Sequence, residues 1–505
     1  MKILKYLIAT VFCTVLFSLS MHAANRYWIA TTTANWNSTL NWSTTSGGAG
    51  GASVPGSGDI AIFNNLKVGN CTINATVNVA GFSIVSGYTG TISQGSNAVT
   101  VGTSHFSQAA GTFTGGSANI DVNGTFTLSG GTFTSTTANF YVGGSVTTSI
   151  TIFTHSAGTF NHNNGTTIFD CNSGTQTFTV DVITATQFYD VTVNYSSGLS
   201  NTSTIQTATN DTVKATNNFT HSSTAIKGFW RVQGNVTVTT LANGGTGNII
   251  LFGTGNKTYS STAGRTAFLV INKSSGTVTP AIGTTNFLVQ GFKLVAGSFT
   301  APSGNFGIGG TLAANATVFE HTAGTFTHNS GTTTFDVNSS ITITIKTLSS
   351  TVFNHVTISS KATQVLQNAT DTLRVNNLIL TQGAFNTGII SVRGNVTVTN
   401  TFGGTGTIIF MGTTDQDFTL TGATDKLNVT TLIIKQSPGK KVVLKSAATL
   451  DQSGQVLTFT RGNILTTSTN LLTIGHGVTV SSASNNCFVT GPVKKIGTAA
   501  FTFPV

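Results

Sequence analysis

Short segments in which apolar and polar residues alternate, punctuated by glycine and asparagine, run along most of the chain. Ile120-Asp121-Val122 and Phe140-Tyr141-Val142 are two of them. A period of two places every second side chain on one face of a β-strand. Each of these strands follows a Gly-Thr-Phe-Thr tetrapeptide, Gly111-Thr112-Phe113-Thr114 and then Gly131-Thr132-Phe133-Thr134. Similar copies begin at Gly158, Gly297, Gly324, Gly383 and, degraded, Gly462. From Asn25 to Val505 no stretch carries Leu, Ala, Glu, Lys and Gln at helical spacing, so strands are expected nearly everywhere.

The short motif sits inside a longer repeat. Residues 151–174, TIFTHSAGTFNHNNGTTIFDCNSG, match residues 317–340, TVFEHTAGTFTHNSGTTTFDVNSS, at 16 of 24 positions. Downstream, Val232-Gln233-Gly234-Asn235-Val236 corresponds to Val392-Arg393-Gly394-Asn395-Val396, and Gly244-Gly245-Thr246-Gly247 to Gly403-Gly404-Thr405-Gly406. A period of roughly 20 to 50 residues is the mark of a solenoid, whose repeats bury their apolar faces only by stacking. The short period is too brief for a helix pair. The expected fold is therefore all-β, a right-handed parallel β-helix (β-solenoid) of about 20 coils, given roughly 20 to 25 residues per coil. Phe113, Phe133 and Phe160 would stack as aromatic ladders, glycine would form the corners, and corner Asn or Thr would hydrogen-bond along the axis. Greek-key sandwiches are the architectural alternative. The expected division is a signal peptide over 1–24, a cap and first coils over 25–105, repeat units over 106–290 and 291–456, and the start of a further unit over 457–505.

Composition sharpens this picture. Only 7% of residues are charged, against roughly 25% in an average soluble domain. Stacked coils repeat equivalent positions about every 4.8 Å, so like charges on a ladder would repel. Residues 1–24 read as a secretory signal: Lys2 and Lys5, an apolar run from Tyr6 to Leu19, then Ala23 or Ala24 before the cut. The run is too short to span a bilayer, and no later segment comes close. After cleavage Cys71, Cys171 and Cys487 remain, an odd and widely spaced set without metal-ligand spacing.

Two passages carry a family resemblance. Tyr27-Trp28, Asn35-Trp36-Asn37, Asn41-Trp42-Ser43, Val54-Pro55 and Gly58-Asp59 resemble the opening of large β-helical, adhesin-like surface proteins exported by the type IX secretion system of gliding bacteria. Phe488-Val489-Thr490-Gly491-Pro492-Val493 and Phe501-Thr502-Phe503-Pro504-Val505 are similar to a passage that follows the coils in those proteins. The resemblance implies secretion to the outer cell surface and a C-terminal sorting domain. The chain stops at Val505 inside what reads as a strand, so a fragment lacking that domain is expected.

Candidate chemistry is sparse. Asp170 recurs as Asp336 and Asp211 as Asp371, which points to turn positions, whereas Asp181 and Asp190 align with Lys346 and His355. Polysaccharide hydrolysis needs two carboxylates facing the bond, and no acidic cluster with a basic partner stands out. Asp415, Asp417 and Asp425 have no calcium-loop spacing and read as solvated turns. His155 and His162 recur as His321 and His328, two histidines where a transition metal needs three or four ligands, so they read as ladder or corner residues. Trp28, Trp36 and Trp42 read as a cap on the first coil, or as a sugar platform. No catalytic, metal or cofactor residue is assigned. Lys426, Lys435, Lys440, Lys441, Lys445, Arg461, Lys494 and Lys495 face only Asp451 in the last eighty residues, a basic end suited to an extracellular polysaccharide or cell-surface glycan by long-range attraction; nucleic acid is not expected. The favoured function is a non-enzymatic surface stalk or adhesin-like segment. The alternatives are a polysaccharide-active β-helix enzyme and a non-catalytic carbohydrate-binding module.

Overall fold

The computed structural model describes residues 23–172, 175–195, 203–422, 424, 426–481, 483–498 and 500–505. Residues 1–22 of the signal peptide expected over 1–24, and Asp425, lie outside the described residues. The chain is all-β, with 56% of residues in strands and about 19 solenoid turns. The only helical element among the described residues is a 3-10 turn, Thr39–Asn41. It falls into two compact units, residues 1–199 and 200–505, each built of strands paired in parallel. That pairing excludes the Greek-key alternative. Among the described strand pairs only the first is antiparallel, Ala24–Trp28 with Trp42–Ser43.

In the first unit the register follows the short repeat. Strand Thr112–Thr114 lies beside Thr132–Thr134 and that beside Thr159–Asn161, so Phe113, Phe133 and Phe160 are exact register partners. Their rings stack with centroids 5.2 and 5.8 Å apart. A second column joins Phe82, Phe106, Phe126 and Phe153, and rings of the two columns meet edge to face, as Phe126 and Phe133 do at 4.8 Å. Each fully buried phenylalanine contributes up to about 3 kcal/mol by leaving water, and each ring pair about 1 kcal/mol more. The two interlocked columns hold successive coils in one register.

Trp28, Trp36 and Trp42 are buried, not exposed. Their rings pack against one another and against Phe63, and the Trp28 and Trp42 indoles donate to the Gly69 and Trp36 carbonyls at 2.8 Å. They head the aromatic column in the first coil, which removes them as a sugar platform.

The second unit repeats the scheme with Phe292 beside Phe319 and Phe299 beside Phe326. Corners are joined along the axis by asparagine. The side-chain carbonyls of Asn119, Asn235, Asn256 and Asn395 each accept the backbone N–H of a residue in the next coil, at 2.9–3.2 Å. The donors, Asn139, Thr258, Thr277 and Asp417, are strand residues, so the corner asparagine supplies an uncharged acceptor to the strand of the next coil. At the far end, residues 500–505 form no strand; the Pro504 carbonyl accepts the Val489 N–H instead.

Candidate anion-binding cleft

The histidines singled out by their recurrence serve the corners. His155 is buried in the same column as Leu128 and, one coil earlier, Gln108. Its Nδ1 is 2.8 Å from the Thr186 hydroxyl and its Nε2 3.3 Å from the Gly158 carbonyl. His321 repeats this with Thr351 and Gly324. A carbonyl only accepts, so Nε2 carries the proton and Nδ1 takes the hydroxyl's. Gln108 Nε2 likewise donates to the carbonyl three residues on, that of Gly111. The capped glycine has positive φ each time: 60°, 89° and 91° for Gly111, Gly158 and Gly324.

A third copy escaped the sequence reading. His221 is fully buried, with Nδ1 2.9 Å from the Thr266 hydroxyl and Nε2 3.0 Å from the Thr224 carbonyl. Thr224 holds the glycine position at φ 69°. Phe153-Thr154-His155-Ser156 and Phe219-Thr220-His221-Ser222 are the same tetrapeptide, a signal that lay in plain sight. Burial lowers the pKa of His155 and His321, and that of His221 to about 4. His162 and His328 are different: each ring Nδ1 accepts a backbone N–H two residues on, in a turn. Among the described residues no three His, Cys, Asp or Glu side chains converge as metal ligands.

The acidic candidates separate as well. Asp336 accepts the Arg265 guanidinium at 2.6 Å and the Gly310 N–H at 3.1 Å. Asp170, its counterpart, accepts from the Asn194 amide at 3.2 Å and lies near Asp121, whose carboxyl is raised by burial first and by Asp170 second. Asp371 caps the Asn368 N–H, Asp181 is exposed on the strand Thr177–Val182, and Asp190 opens the strand Asp190–Tyr195. Lys346 and Lys293 flank Glu320, and His355 accepts from Asn377. Asp417 pairs with Lys445, while Asp415 accepts the Lys441 backbone N–H at 3.1 Å. Cys71, Cys171 and Cys487 are buried and in no disulfide; burial pushes the Cys171 thiol up to about 12, out of range for a reactive thiolate.

The basic end divides into spent and unspent cations. Lys426 and Lys445 pair with Asp451 and Asp417, and Lys495 donates to the Gly475 carbonyl. Lys435 and Arg461, by contrast, are register partners on adjacent coils. This is one of two like-charge register pairs among the described residues; the other is Lys214 with Arg231. Neither pair has a carboxylate within ion-pair distance among the described residues. The corner beyond Lys435 explains a cleft. Between the paired positions Lys435/Arg461 and Lys441/Asn463 one coil spends five residues, 436–440, and the next only Gly462. The long and the short corner flank an open cleft of about 520 Å³, lined by Pro438, Gly439, Lys440, Lys441, Arg461, Gly462, Asn463, Leu465, Asn486 and Thr490.

Gly462 makes the short corner possible. Its φ is 84°, and a Cβ there would meet the Gln436 Cβ at 2.5 Å and the Lys440 carbonyl at 2.7 Å. Arg461 Nε donates to the Gln436 carbonyl, which orients the guanidinium. Its terminal amino groups, and the ammonium groups of Lys435, Lys440 and Lys441, have no hydrogen-bond partner among the described residues. Lys440, Lys441 and Arg461 line one polar cleft, with Lys435 beside Arg461 in register; together with Asn463, Asn486 and Thr490 as neutral donors and acceptors they suit a hydroxylated polyanion. No helix among the described residues is long and apolar enough to cross a membrane. No family model, curated protein or solved structure matches the chain, so the functional reading rests on this geometry.

Proposed function

We propose that the chain is an exported, non-enzymatic surface β-solenoid that acts as an adhesin-like stalk and holds an acidic extracellular polysaccharide in the Lys435–Arg461 cleft. The observation that carries this is the register pairing of Lys435 with Arg461 beside Lys440 and Lys441, none of whose side chains is in an ion pair among the described residues, in a fold with only one other like-charge register pair among them. The predicted leader over 1–24 and the resemblance to type IX surface proteins support the exported location. The winding is taken as right-handed, the hand that parallel crossovers almost always adopt. N-terminal sequencing of the protein from its native host should find a start near residue 24 or 25.

The test is binding of polygalacturonate, with neutral dextran as control. The polyanion should bind and dextran should not. Affinity should fall steeply with salt, because partly exposed charges are screened beyond about 8 Å at physiological ionic strength. Lys441→Gln with Arg461→Gln should weaken binding roughly tenfold or more, the loss of charge-assisted contacts. Equal affinity for dextran, or no effect of the double variant, would exclude the reading. Release of cleaved product from the same glycans would favour the enzyme alternative, with Asp121 and Asp170, the two carboxylates brought together in the first unit, as the residues to replace first.

A further inference from the structure

The other cationic register pair lies on the outer face of the second unit. Strands Thr212–Ala215 and Phe229–Val232 place Lys214 beside Arg231, with Ile250 of the strand Val236–Gly253 next in the row. Strand Phe229–Val232 is fixed in rotation by Trp230, which is buried and donates from Nε1 to the Lys227 carbonyl at 2.9 Å. Alternation therefore turns Phe229 and Arg231 outward together, and Phe229 is 46% exposed. The Arg231 guanidinium lies 4.1 Å from the centre of the Phe252 ring, and Lys214 Nζ lies 5.8 Å from it. Neither cation is in an ion pair among the described residues.

The other repeat unit supplies an internal control. The matching positions there are Arg374, Ser391 and Met411, with Arg374 and Ser391 in the same register and the Ser391 hydroxyl against the Met411 sulfur. The exposed Phe229 is matched by Ile389. The same coil thus closes with one cation and no ring, so the fold does not demand the cation pair or the aromatic. Two adjacent cations about one strand spacing apart repel. A single cation over the Phe252 ring would give the stacking contact without that cost.

We infer that Lys214, Arg231 and Phe229 form a second contact site for an acidic sugar chain, separate in sequence and strand position from the cleft at Lys435 and Arg461. Stacked on Phe252, the guanidinium is held flat and presents its fork to a carboxylate, a geometry that lysine alone does not offer. Lys214 takes a second oxygen or the next carboxylate along the chain, and the apolar face of a sugar ring covers Phe229. The ligand class follows from the three groups: a uronate-containing polysaccharide. The ligand class rests on the polyanion reading of the cleft; the site does not. Two contacts on one polymer would raise its apparent affinity without further contacts.

The experiment measures polygalacturonate binding to the full chain and to two double variants. Lys214→Gln with Arg231→Ser copies the sister repeat at the arginine position and should fold, as far-UV circular dichroism would verify. Roughly tenfold weaker binding by this variant, with the cleft variant Lys441→Gln/Arg461→Gln weaker on its own account, is the expected result. Unchanged affinity in the Lys214/Arg231 variant beside a loss in the cleft variant overturns this inference and leaves the cleft reading standing. The reverse pattern supports this site and removes the cleft. Absence of binding by the unsubstituted chain overturns both.

Discussion

Replacing His221 by glutamine should remove an acid sensitivity from the middle of the chain while keeping the native corner. His221 is fully buried, and burial lowers its pKa from 6.5 to about 4. The folded state therefore binds the proton less readily than the unfolded chain. Stability is whole above pH 6.5 and falls as the pH drops from 6.5 towards 4, because over that range the unfolded state takes up a proton that the folded state refuses. The distance from 6.5 to about 4, at about 1.4 kcal/mol per pH unit, amounts to about 3 kcal/mol. Glutamine has a donor for the Thr224 carbonyl, the contact that Gln108 makes at the equivalent corner, and a side-chain oxygen that can accept from the Thr266 hydroxyl, and it does not titrate. A solenoid opens locally rather than all at once, so the suitable assay is hydrogen exchange of the segments 219–227 and 229–232. Variant and wild type should be compared at each pH, which cancels the intrinsic pH dependence of exchange. At pH 7 the two should agree closely. Near pH 4 the wild type should be about 100-fold less protected than the variant, the exchange equivalent of about 3 kcal/mol. Parallel loss of protection in both proteins would refute the argument, since the titration would then belong to other groups.

Two further outcomes test the architecture. Phe133→Ala empties the point where two aromatic columns interlock, with Phe113, Phe126 and Phe160 ring centres within 4.8–5.8 Å; it should destabilise the first unit by about 3–5 kcal/mol, read as a lower denaturation midpoint. Gly324→Ala forces an L side chain to φ 91° with its Cβ 2.2 Å from the Gly297 carbonyl; a loss of about 2 kcal/mol or more is expected in the same assay, and a neutral result would contradict the corner geometry.

How much of this was legible beforehand depends on whether a feature repeats locally. Phe113 and Phe133 stand at a fixed interval, so their ladder could be read from spacing alone. The corner acceptors followed from residue type, because asparagine offers a carbonyl without charge. The tryptophans were half legible: Trp28, Trp36 and Trp42 flank polar residues, so the sequence leaves both a cap and a sugar platform open, and only the antiparallel first pair, with Trp28 opposite Trp42, and the ring contacts of Trp36 show them turned inward. His221 was missed because its tetrapeptide recurs without the Ala-Gly-Thr-Phe that follows His155. The cleft was half visible. The lysine excess near the C-terminus is a matter of counting, but that Lys435 faces Arg461 depends on coil length, and a five-residue corner beside a one-residue corner cannot be seen without the register.

Charge scarcity is the thread that links fold to function here, and the exceptions to it carry the information. Where opposite charges meet in register, as Lys293, Glu320 and Lys346 do on three successive coils, the ladder tolerates them because each neighbour offsets the next. Where Lys435 meets Arg461 and Lys214 meets Arg231, nothing described offsets them. The sister position and the neighbouring register show that the fold closes without such a pair: Ser391 stands where Arg231 does, and in the strand Val456–Arg461 itself Thr458 meets Ser481 of the next coil. An unneutralised pair in a stack that elsewhere uses Thr, Ser and Asn to stay wet is thus a cost to the free protein. The cost is recovered when a polyanion docks, and it should therefore appear as a gain in the local protection of strands 427–435 and 456–461 on adding polygalacturonate, absent in the Lys441/Arg461 variant.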